Sequence, residues 1–221
     1  MSSHLNIHLD LGADPHLWPE PFKSTYAERF RSQQVNPYEK YQDDPHGYAR
    51  DVLGLTLTDE QSEMLTSILL NRYTLCKASH SIGKRLIAAV AASWWYDCWG
   101  EHICYITAPT WQQSLGLTFK ALKGMRRQFK LPGTIQDTGV IKDTDKLQEG
   151  KHYVRALNAE RGEGFQGEHE APILIIIEEG VGVLKHIWDA AIGLMTAKDC
   201  RLFVIGNPTD STGEFGNAAE S

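Results

Sequence analysis

The sequence lacks the features that mark several protein classes. Its four cysteines form no CxxC pair, so neither a structural zinc site nor a disulfide framework is indicated, and a reducing compartment fits. No apolar run is long enough to cross a bilayer, and Ile173–Ile177, for example, is far too short. Met1–Asp10 has no long apolar run, so we expect no secretory signal. The formal net charge of −6 excludes an overall basic footprint, and any contact with nucleic acid must be a local patch.

The composition is that of an ordinary globular chain. Of its 221 residues, 42% are hydrophobic and 23% are charged, which suits one large domain with appendages. Residues 1–50 carry five of the nine prolines and show no sustained period. We interpret them as an irregular N-terminal arm or lid with one short helix around Thr25–Gln33, or equally as a floppy terminus. Residues 51–221 are then predicted to form the core domain.

Strand and helix signals alternate from residue 55 onward. Thr58, followed three residues later by Gln61, predicts a capping box at the start of a helix that runs to about Leu70. This alternation favours an α/β fold with a central, mainly parallel sheet flanked by helices. Predicted strands are Tyr73–Lys77, His102–Thr107, Tyr153–Leu157, Ile173–Ile177 and Arg201–Ile205; predicted helices are Arg85–Trp99, Gln112–Lys130 and Leu184–Thr196; Leu131–Gly150 is predicted to be a hairpin or loop.

A candidate phosphate-binding loop, Ala78–Arg85, lies between a predicted strand and a predicted helix. In such loops the backbone amides and the helix N-terminus form an anion cradle, glycine lets the backbone approach phosphate, and lysine reaches the β and γ phosphates. The residues predicted to bind ATP here are Ser79, His80, Ser81, Ile82, Gly83, Lys84 and Arg85. The alternative is a plain strand–helix turn.

Two positions depart from the usual loop pattern. Ala78 replaces its first glycine, and Arg85 replaces the serine or threonine whose hydroxyl normally binds Mg²⁺. Either Ser79 or Ser81 substitutes, or the metal is held from elsewhere, or hydrolysis is impaired.

Two adjacent carboxylates, Glu178 and Glu179, follow the apolar run Ile173–Ile177. In phosphate-loop NTPases the first acid at this point holds Mg²⁺ and the second polarises the attacking water. Glu178 is therefore the predicted metal residue and Glu179 the predicted catalytic residue. A charged strand end with no catalytic role is the alternative.

Three further segments support this interpretation. The Gln61 amide is a candidate for the N6 and N7 edge of adenine, with a solvated helix residue as the alternative. Thr107–Thr110 follows a strand at the edge where open α/β sheets bind ligands. Asn207 and Thr209, after the last strand, are candidates for sensing the γ phosphate; the alternative is a generic Asn-Pro turn.

The predicted helix Gln112–Lys130 carries a basic stripe. Leu115, Leu122, Met125 and Phe129 are expected on one side, and Lys120, Lys123, Arg127 and Lys130 on another with Arg126 beside them. Such a stripe fits the phosphate backbone of DNA, or is simply a solvated face.

The order of these segments resembles the large terminase subunit of tailed bacteriophages. The similarity runs from about Val52 to Phe215 and includes Gly164–His169 and Gly206–Gly213. It implies a P-loop NTPase of the additional-strand, catalytic-glutamate type, in which ATP hydrolysis with Mg²⁺ drives double-stranded DNA into a procapsid. Lys84 is then the loop lysine, Glu178 the metal acid, Glu179 the catalytic glutamate and Asn207 the coupling residue.

The resemblance also implies partners and a location. We expect a homo-oligomeric ring, a portal protein and a small terminase subunit, in the host cytoplasm and with no membrane partner. An arginine finger from a neighbouring subunit is expected, with Arg161 as the candidate and Arg155 as the runner-up. Only three acids, Asp210, Glu214 and Glu220, follow Gly206, so we expect no C-terminal nuclease domain. The alternative is a catalytically impaired nucleotide-binding or assembly module with the same fold.

Overall fold

The computed structural model describes residues 36–77, 83–110, 112, 114–137, 139–142, 152–157, 172–195 and 199–206. The chain divides into two compact units, Met1–Asn36 and Pro37–Ser221. The predicted helix Thr25–Gln33 lies outside the described residues, as does most of the first unit. The elements that follow all belong to the second unit.

The second unit is built on a seven-stranded sheet. Its strands are β1 (Tyr73–Lys77), β2 (Ile103–Thr107), β3 (Thr134–Gln136), β4 (Val140–Lys142), β5 (Tyr153–Ala156), β6 (Ile173–Glu178) and β7 (Arg201–Gly206). Their order across the sheet is β1-β7-β6-β2-β5-β4-β3. The first five strands in this order are parallel, and the hairpin β3–β4 adds an antiparallel edge beyond β5. The predicted fold class, an α/β domain with a mainly parallel sheet, is confirmed.

Helices cover both faces of this sheet. The longer helices are α1 (Asp59–Leu70), α2 (Lys84–Cys98), α3 (Lys120–Gln128) and α4 (Lys185–Leu194). One apolar cluster joins α1, α2 and α3 to one face, and a second joins α4 to the other. Strand β6 is buried along its whole length because both faces are covered, which explains its unbroken apolar sequence. Each such aliphatic side chain contributes about 1.5–3 kcal/mol through burial.

The chain before α1 packs into the same core. In the part of the expected irregular arm that the structure describes, short helical turns are present: Glu39–Tyr41, Pro45–Gly47 and the π-helical Tyr48–Val52. Tyr48 is fully buried. Trp94 Nε1 of α2 donates to the Tyr41 carbonyl at 2.7 Å, which ties this segment to α2. The boundary at residue 50 and the lid role stay predictions.

The capping box at the start of α1 is present. The Thr58 hydroxyl accepts from the Gln61 amide at 3.4 Å, and Gln61 Oε1 accepts from the Thr58 amide at 3.1 Å. These two bonds fix the Gln61 side chain at the first turn of α1. None of the helices in the described residues is long and apolar enough to cross a membrane.

The predicted basic helix is formed in two parts. A π-helical segment, Ser114–Phe119, leads directly into α3. Leu122 and Met125 are buried as expected. Arg126, expected beside the basic stripe, is instead only 1% exposed and pairs with Asp97 of α2 at 2.8 Å. The pattern of residues along one helix cannot predict this pair, because the partner of Arg126 lies in another helix.

Candidate functional site

The carboxyl ends of four parallel strands lie side by side. In the strand register Lys77 of β1 pairs with Gly206 of β7, Ile205 of β7 pairs with Glu178 of β6, and Ile177 of β6 pairs with Thr107 of β2. Loops that leave this edge bring distant parts of the sequence together, and open α/β sheets bind their ligands there. The segments singled out in the sequence after β1, β2, β6 and β7 therefore all start from one edge.

Helix α2 begins at this edge with Lys84. Gly83 is its N-cap residue and has a left-handed backbone, with φ at 77°. A Cβ on residue 83 would collide with the Gln61 side chain amide. Gly83 is therefore required both by its backbone angle and by the close approach of Gln61. The fold thus brings Gln61 and Lys84, which belong to different helices, to the same corner.

Glu178 is the buried acid of the site. It ends β6 and is only 5% exposed. Burial raises the pKa of its carboxyl, and the charge of Glu179 raises it further, while Thr118, Arg85 and Lys84 lower it. These influences place the start of α2 and the end of β6 within electrostatic reach of each other. Lys84 and Glu178, both predicted from the sequence as site residues, therefore lie in the same part of the molecule.

Thr118 is a site residue that the sequence did not reveal. It lies in the π-helical segment Ser114–Phe119 and is fully buried. Its hydroxyl lowers the pKa of the Glu178 carboxyl, as a hydrogen bond to that group would. The geometry falls short of a full hydrogen bond, since Thr118 Oγ1 and Glu178 Oε2 have no partner that meets hydrogen-bond geometry among the described residues. No sequence pattern marks a threonine inside a helix as part of a site at the end of a remote strand.

Glu179 leaves the strand in a strained conformation. Its φ of 51° is left-handed, which is uncommon for a residue other than glycine. A short 3₁₀ turn, Gly180–Gly182, follows it. Strained residues of this kind cluster at functional sites. The two adjacent carboxylates therefore differ in setting, Glu178 buried at the strand end and Glu179 half-buried in the turn.

The segment after β2 packs against this turn. A Cβ on residue 182 would lie 2.9 Å from Cγ of Pro109. Thr107, at the end of β2, is 1% exposed, and its hydroxyl has no hydrogen-bond partner in the described ranges. Since it pairs with Ile177 in the register, its side chain is on the opposite face of the sheet from Glu178.

Other predicted site residues are divided between described and undescribed parts of the chain. Lys120, Arg127 and Lys130 lie at the surface, whereas Lys123 forms an ion pair with Asp137 at 2.5 Å. Arg155 is exposed on β5, with its guanidinium 4.6 Å from the centroid of the Tyr153 ring. The residues outside the described ranges are Ser79, His80, Ser81, Ile82, Arg161, Asn207 and Thr209.

The described residues contain no cluster of side chains typical of a zinc site or of a site with several carboxylates. Within the described ranges no three His, Cys, Asp or Glu residues come together to hold a metal ion. This pattern does not argue against Mg²⁺, which commonly binds through one or two carboxylates together with substrate phosphates.

The fold and the clustered edge define a class: α/β domains with a mostly parallel sheet whose strand ends carry a basic helix start and a buried acid. Solved structures that share the fold include large terminases of phages. The ATPase domain of the Thermus phage P74-26 large terminase superposes with a TM-score of 0.64 at 15% identity, covering 82% of this chain and 73% of that one. The resemblance to large terminases noted in the sequence is confirmed at the level of the fold.

Two longer chains match over a smaller share of their length. The large terminase of a thermophilic bacteriophage, in complex with ADP, has a TM-score of 0.55 at 14% identity, covering 69% of this chain and 39% of that one. The HK97 bacteriophage large terminase has a TM-score of 0.53 at 15% identity, covering 69% and 33%. No protein-family model and no curated protein sequence matches the chain.

Proposed function

We propose that this chain is the ATPase domain of a viral DNA-packaging motor, a large terminase, that hydrolyses ATP to translocate double-stranded DNA into a procapsid. The observation that carries the proposal is the sheet topology, in which β1, the strand that leads into Lys84 and α2, and β6, which ends at the buried Glu178, finish at the same edge. The likeness of the fold to ATPase domains of phage terminases supports it.

The strand order supports the additional-strand, catalytic-glutamate subtype of P-loop NTPase. Strand β7 lies between β1, which leads into the candidate phosphate loop, and β6, which carries the acidic pair. An inserted strand at this position is what the name of the subtype describes. The acidic pair at the end of β6 then falls where that subtype needs its metal acid and its catalytic glutamate.

The start of α2 is suited to bind a polyphosphate. The first turn of α2 directs its backbone amides toward this edge, and Lys84 adds a positive charge beside them. In the proposed site the loop from Ser79 to Arg85 surrounds the phosphates. Gln61, which the capping box holds at this corner, is the residue that we assign to the adenine. The ADP complex of the thermophilic phage terminase, which shares the fold, supports a nucleotide ligand.

Glu178 fits the role of the metal acid because it is buried with Oε2 unpartnered in the described part of the chain. When bound, Mg²⁺ supplies positive charge that neutralises phosphate oxygens. Glu178 holds the metal, and Glu179, displaced from the strand by its left-handed backbone, orients the attacking water and accepts its proton. Asn207 and Thr209 sense the γ phosphate and couple its loss to movement.

The remaining roles need other subunits. We assign the arginine finger to Arg161 of a neighbouring subunit, with exposed Arg155 as the second choice. DNA contacts the stripe formed by Lys120, Arg127 and Lys130, and Lys123 joins it once released from Asp137. The ring, the portal protein and the small terminase subunit complete the assembly, which works in the host cytoplasm at the procapsid portal.

Steady-state ATPase activity of the ring assembled with DNA tests this proposal. Lys84→Ala is expected to abolish turnover by removing the phosphate contact. Glu179→Gln is expected to slow turnover by a factor of roughly 10² or more while leaving ATP binding intact, because only the base is lost. Absence of turnover by the wild-type chain in that assembly would contradict the enzymatic assignment.

A second candidate function follows from Arg85. This residue carries a positive charge near Glu178 where a metal-binding hydroxyl is usual, so it can neutralise the acid without metal. The chain would then be a catalytically impaired nucleotide-binding or assembly module. Titration calorimetry with ATP separates the two functions, since binding that is unchanged by Mg²⁺ and is not followed by hydrolysis favours the module.

A further inference from the structure

Strands β4 and β5 carry two cations on one face of the sheet. Val140 pairs with Arg155 and Lys142 pairs with Tyr153, so these four side chains share a face. Lys142 and Arg155 are both exposed and are diagonal neighbours on that face. Ile141, between the two paired positions of β4, belongs instead to the apolar cluster that contains α1, α2 and α3. The two cations therefore lie on the side of the sheet away from those helices.

An aromatic ring holds the Arg155 side chain in place. Its guanidinium carbon lies 4.6 Å from the centroid of the Tyr153 ring. The Tyr153 hydroxyl is in turn 2.8 Å from the Tyr105 hydroxyl, and Tyr153 is only 7% exposed. Neither Arg155 nor Lys142 forms an ion pair with another of the described residues. Because neighbouring like charges on a sheet repel each other, this cationic face (Lys142, Tyr153 and Arg155) is suited to an acidic partner.

The start of α1 carries the complementary charge. Asp59 and Glu63 are exposed and lie one helical turn apart, as i and i+4 neighbours that repel each other. Exposed Asp43 belongs to the segment that packs on α1, where Nε2 of His46 is 2.9 Å from Thr66 Oγ1. Within the described ranges none of these three acids forms an ion pair. This acidic surface (Asp43, Asp59 and Glu63) is therefore suited to a cationic partner.

The two surfaces lie on opposite sides of one chain. Helix α1 packs, through Met64, Leu65 and Ile68, into the apolar cluster from which the cationic face points away. The cationic face of one copy therefore cannot reach its own acidic surface, whereas it can reach that of a second copy. A contact between two different surfaces is head-to-tail, and such contacts close into a ring when the rotation between copies permits it.

The composition of the cationic face favours a protein partner over nucleic acid. Half-buried Val140 lies on the same face, and Tyr153 adds an aromatic ring beside Arg155. Arginine and tyrosine are enriched at protein interfaces, whereas a surface that follows a phosphate backbone is dominated by Lys and Arg. The candidate DNA stripe on α3 lies on the other side of the sheet, because Leu122 and Met125 belong to the cluster that contains α1. A duplex held by that stripe is therefore remote from the cationic face.

We propose that the cationic face of one copy of this chain docks on the acidic surface of a second copy. The inference rests on the proposed function, which calls for a ring of subunits, and it assigns the two surfaces that join neighbours in that ring. The acidic surface includes the first residue of α1, two positions before Gln61. Each copy thus holds its neighbour next to the corner where Gln61 approaches Gly83.

Charge reversal on each surface tests the proposal on the full chain. One variant combines Lys142→Glu with Arg155→Glu, and the other combines Asp59→Lys with Glu63→Lys. Sedimentation velocity over a range of protein and salt concentrations, with a non-hydrolysable ATP analogue present, measures the self-association of each variant and of an equimolar mixture. Thermal unfolding checks that each variant is folded.

A matched control reverses two exposed cations elsewhere. Arg72→Glu with Lys185→Glu changes the net charge as much as Lys142→Glu with Arg155→Glu does, but leaves both surfaces intact. Lys142→Gln with Arg155→Gln is the milder version of the test. It serves if the reversed variant fails to fold, and it should still weaken self-association.

Each reversed variant alone is expected to self-associate more weakly than the wild type by roughly tenfold or more, because like charges then meet in the contact. The equimolar mixture should recover association, since the reversed surface of each variant meets its complement on the other. Association of the wild type should weaken as salt rises, because the contact is exposed to solvent screening. The control should associate as the wild type does.

Four outcomes would overturn the proposal. These are a wild type that stays monomeric throughout, a mixture that recovers no association, a control that weakens as much as the test variants, and a Lys142→Glu, Arg155→Glu variant that associates normally but loses DNA binding. The last would assign the cationic face to nucleic acid. Calorimetric titration of the same samples with the ATP analogue separates this inference from the proposed function. Nucleotide binding without association refutes the docking alone, whereas absence of nucleotide binding refutes the proposed function.

Discussion

The buried ion pair between α2 and α3 gives the sharpest stability prediction. Arg126 donates from Nη2 to Asp97 Oδ1 at 2.8 Å and from Nη1 to Oδ2 at 3.1 Å, and Tyr48 Oη donates to Oδ2 at 2.5 Å. Nη1 also donates to Ser93 Oγ at 2.9 Å, and Nη2 donates to the Pro132 carbonyl. The side chains of the pair are 1% and 0% exposed. The network joins α2, α3 and the segment before α1.

Asp97→Asn should be strongly destabilising. The substitution keeps the volume and removes the charge, so the guanidinium of Arg126 remains buried and cannot lose its proton. Removing one partner of a buried pair costs about 3–5 kcal/mol. At about 2–4 °C per kcal/mol for a domain of this size, we expect the Tm to fall by roughly 6–20 °C.

Arg126→Met should be pH-dependent in a way that Asp97→Asn is not. Burial raises the pKa of Asp97, and Arg126 is the main influence that opposes this rise. Without Arg126 the folded state binds a proton at this site more tightly than the unfolded state. The added stability is therefore present at low pH and lost as pH rises through the folded-state pKa, so the deficit of this variant should shrink as pH falls from neutral.

Urea denaturation and thermal melts followed by circular dichroism measure both effects. Asp189→Asn is the control, because the Lys185–Asp189 pair on α4 has a similarly short separation of 2.9 Å but side chains 67% and 60% exposed. Such a helix pair contributes about 0.3–0.5 kcal/mol. If Asp97→Asn costs no more than this control, the reasoning from burial is wrong.

Three further predictions concern the corner of the site, an aromatic cluster and the basic face. Gly83→Ala should cost about 1–2 kcal/mol in the free energy of unfolding because φ is 77° there, whereas Gly124→Ala, within α3 and with no described atom within 4 Å of its new Cβ, should gain about 0.5–1 kcal/mol. Burial lowers the pKa of His102 from 6.5 to about 4, a shift worth about 3 kcal/mol that solvent screening of the partly exposed ring reduces to about 1–2 kcal/mol. Stability should fall by this reduced amount between pH 6.5 and 4 as the unfolded state takes up the proton, and His102→Phe should remove this slope in urea titrations. Lys120→Ala with Arg127→Ala should weaken DNA binding and lower the slope of log K against log salt by about 2, measured by fluorescence anisotropy; an unchanged slope would exclude this face from the DNA path.

Local signals in the sequence predicted the sheet well. The run Tyr73–Lys77 forms β1 with the bounds expected, and the Thr58–Gln61 capping box is present. Both features depend on residues that are near one another in the chain, so the local sequence pattern is sufficient to predict them. The apolar run from Ile173 is a central strand for the same reason, since continuous burial leaves a continuous apolar sequence.

Elements stabilised by distant partners were not predicted. The turns from Glu39 to Val52 contain proline and glycine and follow no helical period, yet Tyr48 is fully buried because α2 offers Asp97 as an acceptor. In the sequence Arg126 resembles the other cations of a basic helix, whereas in the structure it pairs with Asp97 of the preceding helix. In each case the stabilising contact joins two different elements, whereas the hydrophobic period of the sequence describes each element by itself.

The same limit applies to the site, and it explains which part of the site could be predicted. Lys84 and Glu178 were predicted to meet because each ends or follows a parallel strand, and topology alone brings such positions to one edge. Thr118 neither ends a strand nor belongs to the loop; a π-helical turn directs it inward, and that turn depends on packing against β2, β5 and α2 rather than on local sequence.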